Sequence, residues 1–309
     1  MFEESYRTLF LSTPAKLFHR NNSLYIQKEQ CISIPLKDIA NIVIDTPQIV
    51  LNSSLLNAFA QNKILVFVCD ASHLPSGILT PFLPHYKNAQ IIEKQIHLTK
   101  QKKAILWQQI IKAKIQNQVN LLKMLQQEKV ATKLEVLQKS VRLCDGTNNE
   151  AKASRMYFPA LFGKGFVREM DCIENAALNY GYAIVRGSIA RNIVISGLLP
   201  TLGIFHHNQF NAFNLADDLI EPYRIFVDSR VKGLKLDKEM LDGTIKSTLV
   251  DILHTRVLLD GKFYPLYRAI SRSAWSLVDV ICKGKKELSL PVFDRGSDGR
   301  EFYESFSDV

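Results

Sequence analysis

The hydrophobic pattern of the chain changes character near residue 90. Before that point it is β-prone: runs cover residues 6–12 and 15–27, the second turning at Arg20-Asn21-Asn22 as a hairpin would. Residues 31–35 and 39–46 continue the pattern, and residues 48–61 hold one short helix with Asn52-Ser53-Ser54 as its cap signal. Residues 64–69 form an unbroken apolar run, as in a buried strand. Pro75, Gly77, Pro81 and Pro84 then mark a linker. Beyond it, apolar positions such as Ile105, Trp107, Ile110, Ile111 and Ile115 fall in long stretches with few breakers, which predicts helices through residue 139. A polar turn at 144–149 precedes a helix opened by Glu150. A second helix over 175–197 is apolar enough to be the centre of a bundle, and further helices are expected at 236–254 and 263–282. The predicted class is α+β: a small N-terminal β domain over 1–73, a linker over 74–92 and an all-helical domain over 93–309, ending in a patternless polar tail beyond Asp294.

One helix has a polar face that needs an explanation. From about Phe213, Asn214, Asp217, Asp218 and Glu221 sit at offsets 0, 3, 4 and 7 and stack on one side, while Leu215, Ala216, Leu219 and Ile220 take the other. Like charges at that spacing cost roughly 0.2–0.5 kcal/mol per pair. A positive partner should offset this, and a hard divalent cation is a natural one. Pro222 lacks an N–H, so the carbonyl of Asp218 loses its helical partner and the helix should kink or end there. Glu221, just before the proline, is pushed from regular helical dihedrals. His206, upstream on a turn, could close on the same cation. A solvated acidic face is the competing reading, as a capping or macrodipole role is for Glu150.

Charge adds a second theme. The 309 residues are 47% hydrophobic and 22% charged, and the net charge of +9, with a pI near 9.2, favours a polyanionic partner. Ten lysines lie between Lys94 and Lys139, against only Glu128 and Glu135. Together with the amides Gln108, Gln109, Gln116, Asn117 and Gln118, they suit contacts to phosphate, although an ordinary helix surface reads the same way. No apolar run approaches the roughly 20 residues needed to cross a bilayer. The N-terminus lacks a signal-peptide pattern, and five scattered cysteines with no CxxC pair suggest neither disulfides nor a thiolate zinc site. A reducing, cytoplasmic location is expected.

Four stretches carry a family resemblance. Asn208-Gln209-Phe210-Asn211-Ala212-Phe213-Asn214-Leu215-Ala216-Asp217-Asp218-Leu219-Ile220-Glu221-Pro222-Tyr223-Arg224 resembles the signature helix of the CRISPR-associated spacer-acquisition integrase/endonuclease ("Cas-one") family, in the form found in type II systems. Glu150-Ala151 through Arg155-Met156-Tyr157-Phe158 with Leu161-Phe162-Gly163 resembles its first acidic motif. Asn175-Ala176 with Leu178-Asn179-Tyr180-Gly181-Tyr182 resembles its central helix, and Ile64 through Asp70 the last strand of its β domain. Together they span most of the chain to about Val280.

The resemblance implies an N-terminal β-sandwich joined to a larger helical catalytic domain. It also implies a Mg²⁺ or Mn²⁺ site made of Glu150, His206 and Glu221, with His207 the alternative imidazole and Asp218, then Asp217, in support. The expected activity is strand transfer in CRISPR adaptation, in which the 3′-hydroxyl of an incoming double-stranded DNA fragment attacks a phosphodiester in the repeat array; water in its place gives a nuclease. Arg186, Arg191, Arg224, Lys112 and Lys114 are the residues expected to hold DNA backbone. The implied partners are a second copy of the chain, a second small CRISPR adaptation protein in a hetero-hexamer, the type II effector nuclease and a ring-shaped DNA-binding accessory protein. A non-catalytic architectural DNA-binding protein and an RNA-processing enzyme are the competing functions.

Overall fold

The computed structural model describes residues 7–71, 75–79, 81, 87–236 and 240–297, and divides into two compact units at Asn88/Ala89. In the first unit β1 (Arg7–Leu11), β5 (Ile39–Ile44), β7 (Leu65–Cys69) and β8 (Pro75–Leu79) form one sheet in the order β1-β5-β7-β8; β2 (Ala15–Arg20), β3 (Ser23–Gln27), β4 (Cys31–Pro35) and β6 (Ile49–Val50) form another in the order β4-β3-β2-β6. The β2–β3 hairpin turns on Asn21 and Asn22, both at positive φ (49° and 56°), a conformation that asparagine tolerates and that matches strand twist. Helix α1 (Ser53–Gln61) starts where its cap signal lies, with Leu55 N–H donating to Asn52 Oδ1 at 2.9 Å. Leu17, Leu24 and Ile26 of one sheet, Ile39, Ile42 and Val66 of the other, and Leu55 and Phe59 of α1 share one buried apolar cluster.

Two expectations are corrected. The stretch read as a linker contains β8, which begins at a proline and sits on a sheet edge, where a missing N–H costs no ladder bond. The second unit is not all-helical: β9 (Arg256–Leu259) and β10 (Lys262–Pro265) form an antiparallel hairpin around Asp260 and Gly261, both at positive φ. Among the described residues no helix is long and apolar enough to cross a membrane.

The second unit is otherwise helical: α2 (Asn88–Ile96), α3 (Lys100–Met124), α4 (Glu128–Lys139), α5 (Asn149–Phe162), α6 (Ile173–Ile195), α7 (Asn214–Ile220), α8 (Arg224–Gly233), α9 (Gly243–Val250) and α10 (Leu266–Lys283). As its composition predicts, α6 is central, packing against α7, α8, α9 and α10, and most of its residues are buried on every side. Pro222 ends α7, and Glu221–Tyr223 form a single 3₁₀ turn before α8. The residues predicted to form a helix from 236 begin one only at Gly243, with 237–239 outside the described residues; the tail beyond 297 also lies outside them.

The approach of α6 to α8 is set at Gly181, where an added Cβ would stand 2.5 Å from Val227 Cγ1. This contact fixes Tyr182 on α6 relative to Asp228 on α8. Gly181→Ala should therefore cost about 1–3 kcal/mol through overpacking, read as a lower denaturation midpoint at unchanged m-value. A variant as stable as wild type would show that the helices do not meet as described.

Candidate active site

Helix α3 supplies a buried polar stripe. Lys114, Asn117 and Gln118 lie at offsets 0, 3 and 4, flanked by fully buried Ile110, Ile111, Ile115 and Val119. Asn117 Nδ2 donates to the carbonyls of Pro222 (2.9 Å) and Pro291 (3.0 Å), while its Oδ1 accepts from Phe293 N–H (2.9 Å). The residue next to Glu221 is thereby tied to α3. One turn earlier on the same face, the Lys114 ammonium meets Glu221 Oε2 at 2.5 Å and also bonds Glu150 Oε1.

Glu150 enters from the first turn of α5. Its capping reading fails for a specific reason: Asp145 takes that role, its Oδ1 and Oδ2 accepting the N–H groups of Asn149 and Glu150, both at 2.9 Å. The Glu150 carboxylate is therefore directed to Lys114, with Ser154 Oγ donating to it at 3.1 Å. Glu221, 7% exposed, is also held by Arg224, whose Nε donates to Oε1 at 3.0 Å. Its Oε2 touches the ammonium without hydrogen-bond geometry and is otherwise unpartnered. Burial by itself would raise the Glu221 pKa, but Arg224 and Lys114 outweigh it and hold the carboxyl at about 2. Burial likewise opposes the charge on Lys114, yet Glu221 and Glu150 keep its pKa above the usual lysine value.

These groups line a cavity of about 260 Å³, together with Gln118, Phe158, Arg168, Tyr182 and Asp228. Two guanidiniums approach the Tyr182 ring, Arg224 at 4.7 Å and Arg168 at 5.4 Å from its centre. Behind them, Tyr157 O–H donates to Asp228 Oδ2 at 2.9 Å and Tyr182 O–H donates to Oδ1. Burial drives the Asp228 pKa up to about 6, even though both hydroxyls and Arg224 pull it down.

The other acids of the signature helix have partners of their own. Asp218, 0% exposed, accepts the N–H groups of Ile204 (2.5 Å), Phe205 (3.1 Å) and His206 (3.1 Å). Its Oδ1 also accepts from His206 Nδ1 at 2.7 Å; a carboxylate can only accept, so Nε2 carries the free lone pair. Gly203 is required beside it, since a Cβ there would fall 2.1 Å from the His206 carbonyl oxygen and 2.9 Å from Asp218 Oδ2. The His206 ring packs edge-on to Trp107, and its pKa is raised, first by the Asp218 hydrogen bond. His207 is exposed, with Nδ1 on the Phe205 carbonyl at 2.9 Å. Asp217 pairs with Arg186 Nε at 2.5 Å and with Asn211 Nδ2 at 2.5 Å.

The structure thus brings Glu150 and Glu221 onto one ammonium, whereas His206 lines another cavity, beside Lys103 and Asn208. It gives Asp217 and Asp218 partners other than the glutamates. Among the described residues, no three His, Cys, Asp or Glu side chains stand close enough to hold a metal ion. The chemistry of the set still suits one: two hard carboxylates converge, one Glu221 oxygen has no directional bond, and an imidazole is oriented by a carboxylate behind it, the usual arrangement of a histidine ligand.

Several residues expected to hold DNA backbone have other roles here. Lys114 is 8% exposed and lies inside the site. Arg186 is committed to Asp217, and Arg224 to Glu221 and Tyr182. Arg191 is half-buried on α6, with burial lowering its pKa to about 10. Lys112 is half-buried on α3. Among the amides, Gln108 donates to the Val141 carbonyl and Gln109 to that of Lys286, so both are structural clamps. Lys94, Lys100, Lys102, Lys123, Lys129, Lys133 and Lys139 remain exposed.

The pKa of Asp228 is raised on folding, so its stabilising effect is complete below its unfolded value near 4 and is lost as pH rises through about 6. Asp228→Asn should remove about 2–3 kcal/mol of that dependence, leaving a flatter urea-denaturation profile between pH 4 and 6. An unchanged profile would contradict the burial of an ionisable carboxyl here.

The family model for CRISPR associated protein Cas1 matches residues 9–247. The chain is 35% identical to a CRISPR-associated endonuclease Cas1 of Neisseria meningitidis, over 93% of this chain and 96% of that protein; it is 27% identical to one from Francisella tularensis subsp. novicida, over 79% and 85%. In fold it resembles a Cas1 protein from Thermotoga maritima (TM-score 0.73, 17% identity, 92% of this chain and 99% of that one). A casposase bound to integration product is similarly alike (TM-score 0.75, 19% identity, 92% and 93%). The chain belongs to the Cas1 family.

Proposed function

We propose that the protein is a divalent-metal-dependent DNA endonuclease and integrase of CRISPR adaptation, joining the 3′-hydroxyl ends of new DNA fragments to the repeat array. The observation that carries this reading is the convergence of Glu150 and Glu221, from distant parts of the chain, in a cavity that also holds Arg168 and Arg224. Membership of a family whose relative in Neisseria meningitidis is named an endonuclease supports it.

Glu150, Glu221 and His206 through Nε2 would hold Mg²⁺ or Mn²⁺. When bound, the ion would polarise the scissile phosphate and lower the pKa of a hydroxyl or water nucleophile. The remaining work falls to the chain itself. Asp218 fixes the His206 tautomer, and Arg224, while keeping its Nε–H on Glu221, would lend positive charge at the cavity wall to a non-bridging phosphate oxygen. In strand transfer, the incoming 3′-oxygen bonds to phosphorus as the bond to the array's own 3′-oxygen breaks, and the leaving oxygen takes a proton. One phosphodiester replaces another, so catalysis rests on positioning and charge.

The assembly we propose is a pair of homodimers flanking a second small adaptation protein, which supplies two attack sites on double-stranded DNA. A solved complex of similar fold contains Cas1 and Cas2. The type II effector nuclease, a ring-shaped accessory protein and a cytoplasmic setting complete this reading. Exposed lysines of α3 and α4, such as Lys102, Lys129 and Lys133, would contact backbone.

The test is Glu221→Ala. Strand joining and cleavage should fall at least 100-fold, about what losing one electrostatic contributor costs, while DNA affinity in a gel-shift assay stays within a factor of two or so. Chelation should abolish wild-type activity and Mn²⁺ restore it. Joining at the normal rate in the variant, or indifference to chelation, would favour an architectural DNA-binding role instead.

A further inference from the structure

We propose that Lys114 is a built-in counter-cation for the Glu150–Glu221 pair: it holds the two carboxylates together in the metal-free protein and is displaced when a divalent cation binds. The inference rests on the metal-site reading above and assigns that site a residue that sets its affinity.

Two carboxylates brought together in a largely buried setting repel each other and lose hydration, a combination that persists only with a positive partner. Lys114 is that partner for both at once, through Glu221 Oε2 at 2.5 Å and Glu150 Oε1. It emerges from the middle of the 25-residue α3, between Ile111 and Ile115, so its backbone is fixed while its four-carbon stem is not.

The two cations on Glu221 are not equivalent. Arg224 makes a directional Nε–H bond to Oε1 and is stacked on Tyr182, so moving it would break both contacts. Lys114 touches Oε2 without hydrogen-bond geometry. Lys114 does donate a hydrogen bond to Glu150 Oε1, but its ammonium sits on a flexible stem with no ring stacked on it, so another cation can take its place between the carboxylates. The cavity alongside, lined by Gln118 and Ser154, has room to take the ammonium.

The sign follows from Coulomb's law. A divalent ion seated by Glu150 and Glu221 would lie a few ångströms from Lys114 and be repelled by it. Wild-type protein should hold the ion less tightly than a variant without that charge, and should depend less on the ion for its own stability. Lys114 therefore keeps the empty site folded at the expense of affinity.

The experiment is Mn²⁺ titration of the purified full-length chain, followed by electron paramagnetic resonance and by thermal melting, for wild type, Lys114→Met, Lys114→Gln and Glu221→Ala. Both Lys114 variants should bind Mn²⁺ at least tenfold more tightly than wild type. Their Tm should fall below wild type without metal and rise further than wild type with it. If a variant is unfolded without metal, Mn²⁺ should restore its fold, and failure to do so overturns the proposal. Unchanged or weaker Mn²⁺ binding by Lys114→Met and Lys114→Gln also overturns it, because a merely structural lysine would lower Tm without tightening the site. If wild type binds no Mn²⁺ better than Glu221→Ala does, the metal-site reading itself fails.

Discussion

A buried carboxylate, Glu221, and a half-buried one, Glu150, share one ammonium, and much of the second unit serves to make that arrangement tolerable. Lys114 can reach both glutamates only because α3 runs past the start of α5 and the break after α7. The break belongs to Pro222, which ends α7 and sets Glu221 in a 3₁₀ turn, and Asn117 then fastens the proline's carbonyl to α3. At the other partner, Asp145 relieves Glu150 of capping duty and leaves its carboxylate free to point inward. Uncompensated, the buried Glu221 carboxylate would cost several kcal/mol; paired in this way, the two glutamates form a preorganised receptor for positive charge.

The acidic face of the signature helix is resolved by division. Asp217 goes to Arg186 and Asn211, Asp218 to three backbone N–H groups and an imidazole, and Glu221 to Lys114 and Arg224. The repulsion expected at that spacing is met by separate partners, and a shared cation is not needed to explain it. What the division achieves is position. Asp218 ties the loop carrying His206 to α7, which runs directly into the turn carrying Glu221. Behind them, Tyr157, Tyr182 and Asp228 form a buried polar floor that steadies the two arginines of the cavity.

Much of this was legible in the sequence. The change of period, the Asn21-Asn22 turn, the Asn52 cap, the buried run at 64–69 and the central α6 all appear where pattern and turn chemistry put them. The β9–β10 hairpin was missed although Asp260-Gly261 between two apolar runs is a hairpin signal, because the apolar runs on either side also suit helices. The strand β8 was hidden by Pro75 and Gly77, which an edge position tolerates. At the site, the sequence offered Glu150, His206 and Glu221 as metal ligands and Lys114 as a contact to DNA backbone; that Lys114 instead bridges Glu150 and Glu221 could not be read from it. Ten lysines in one helical region look alike in one dimension. Only the flanking Ile110, Ile111, Ile115 and Val119 mark the Lys114-Asn117-Gln118 stripe as inward-facing, and α3 is apolar around too much of its circumference for periodicity to single out that side.

The proposed closure of Glu150, His206 and Glu221 on one divalent cation can be read by anomalous diffraction from crystals grown with Mn²⁺. A manganese peak is expected within coordination distance of both glutamate carboxylates and His206 Nε2, with the Lys114 ammonium withdrawn from between the glutamates. A Mn²⁺-saturated crystal with no peak there, and with Lys114 still bridging Glu150 and Glu221, would contradict it.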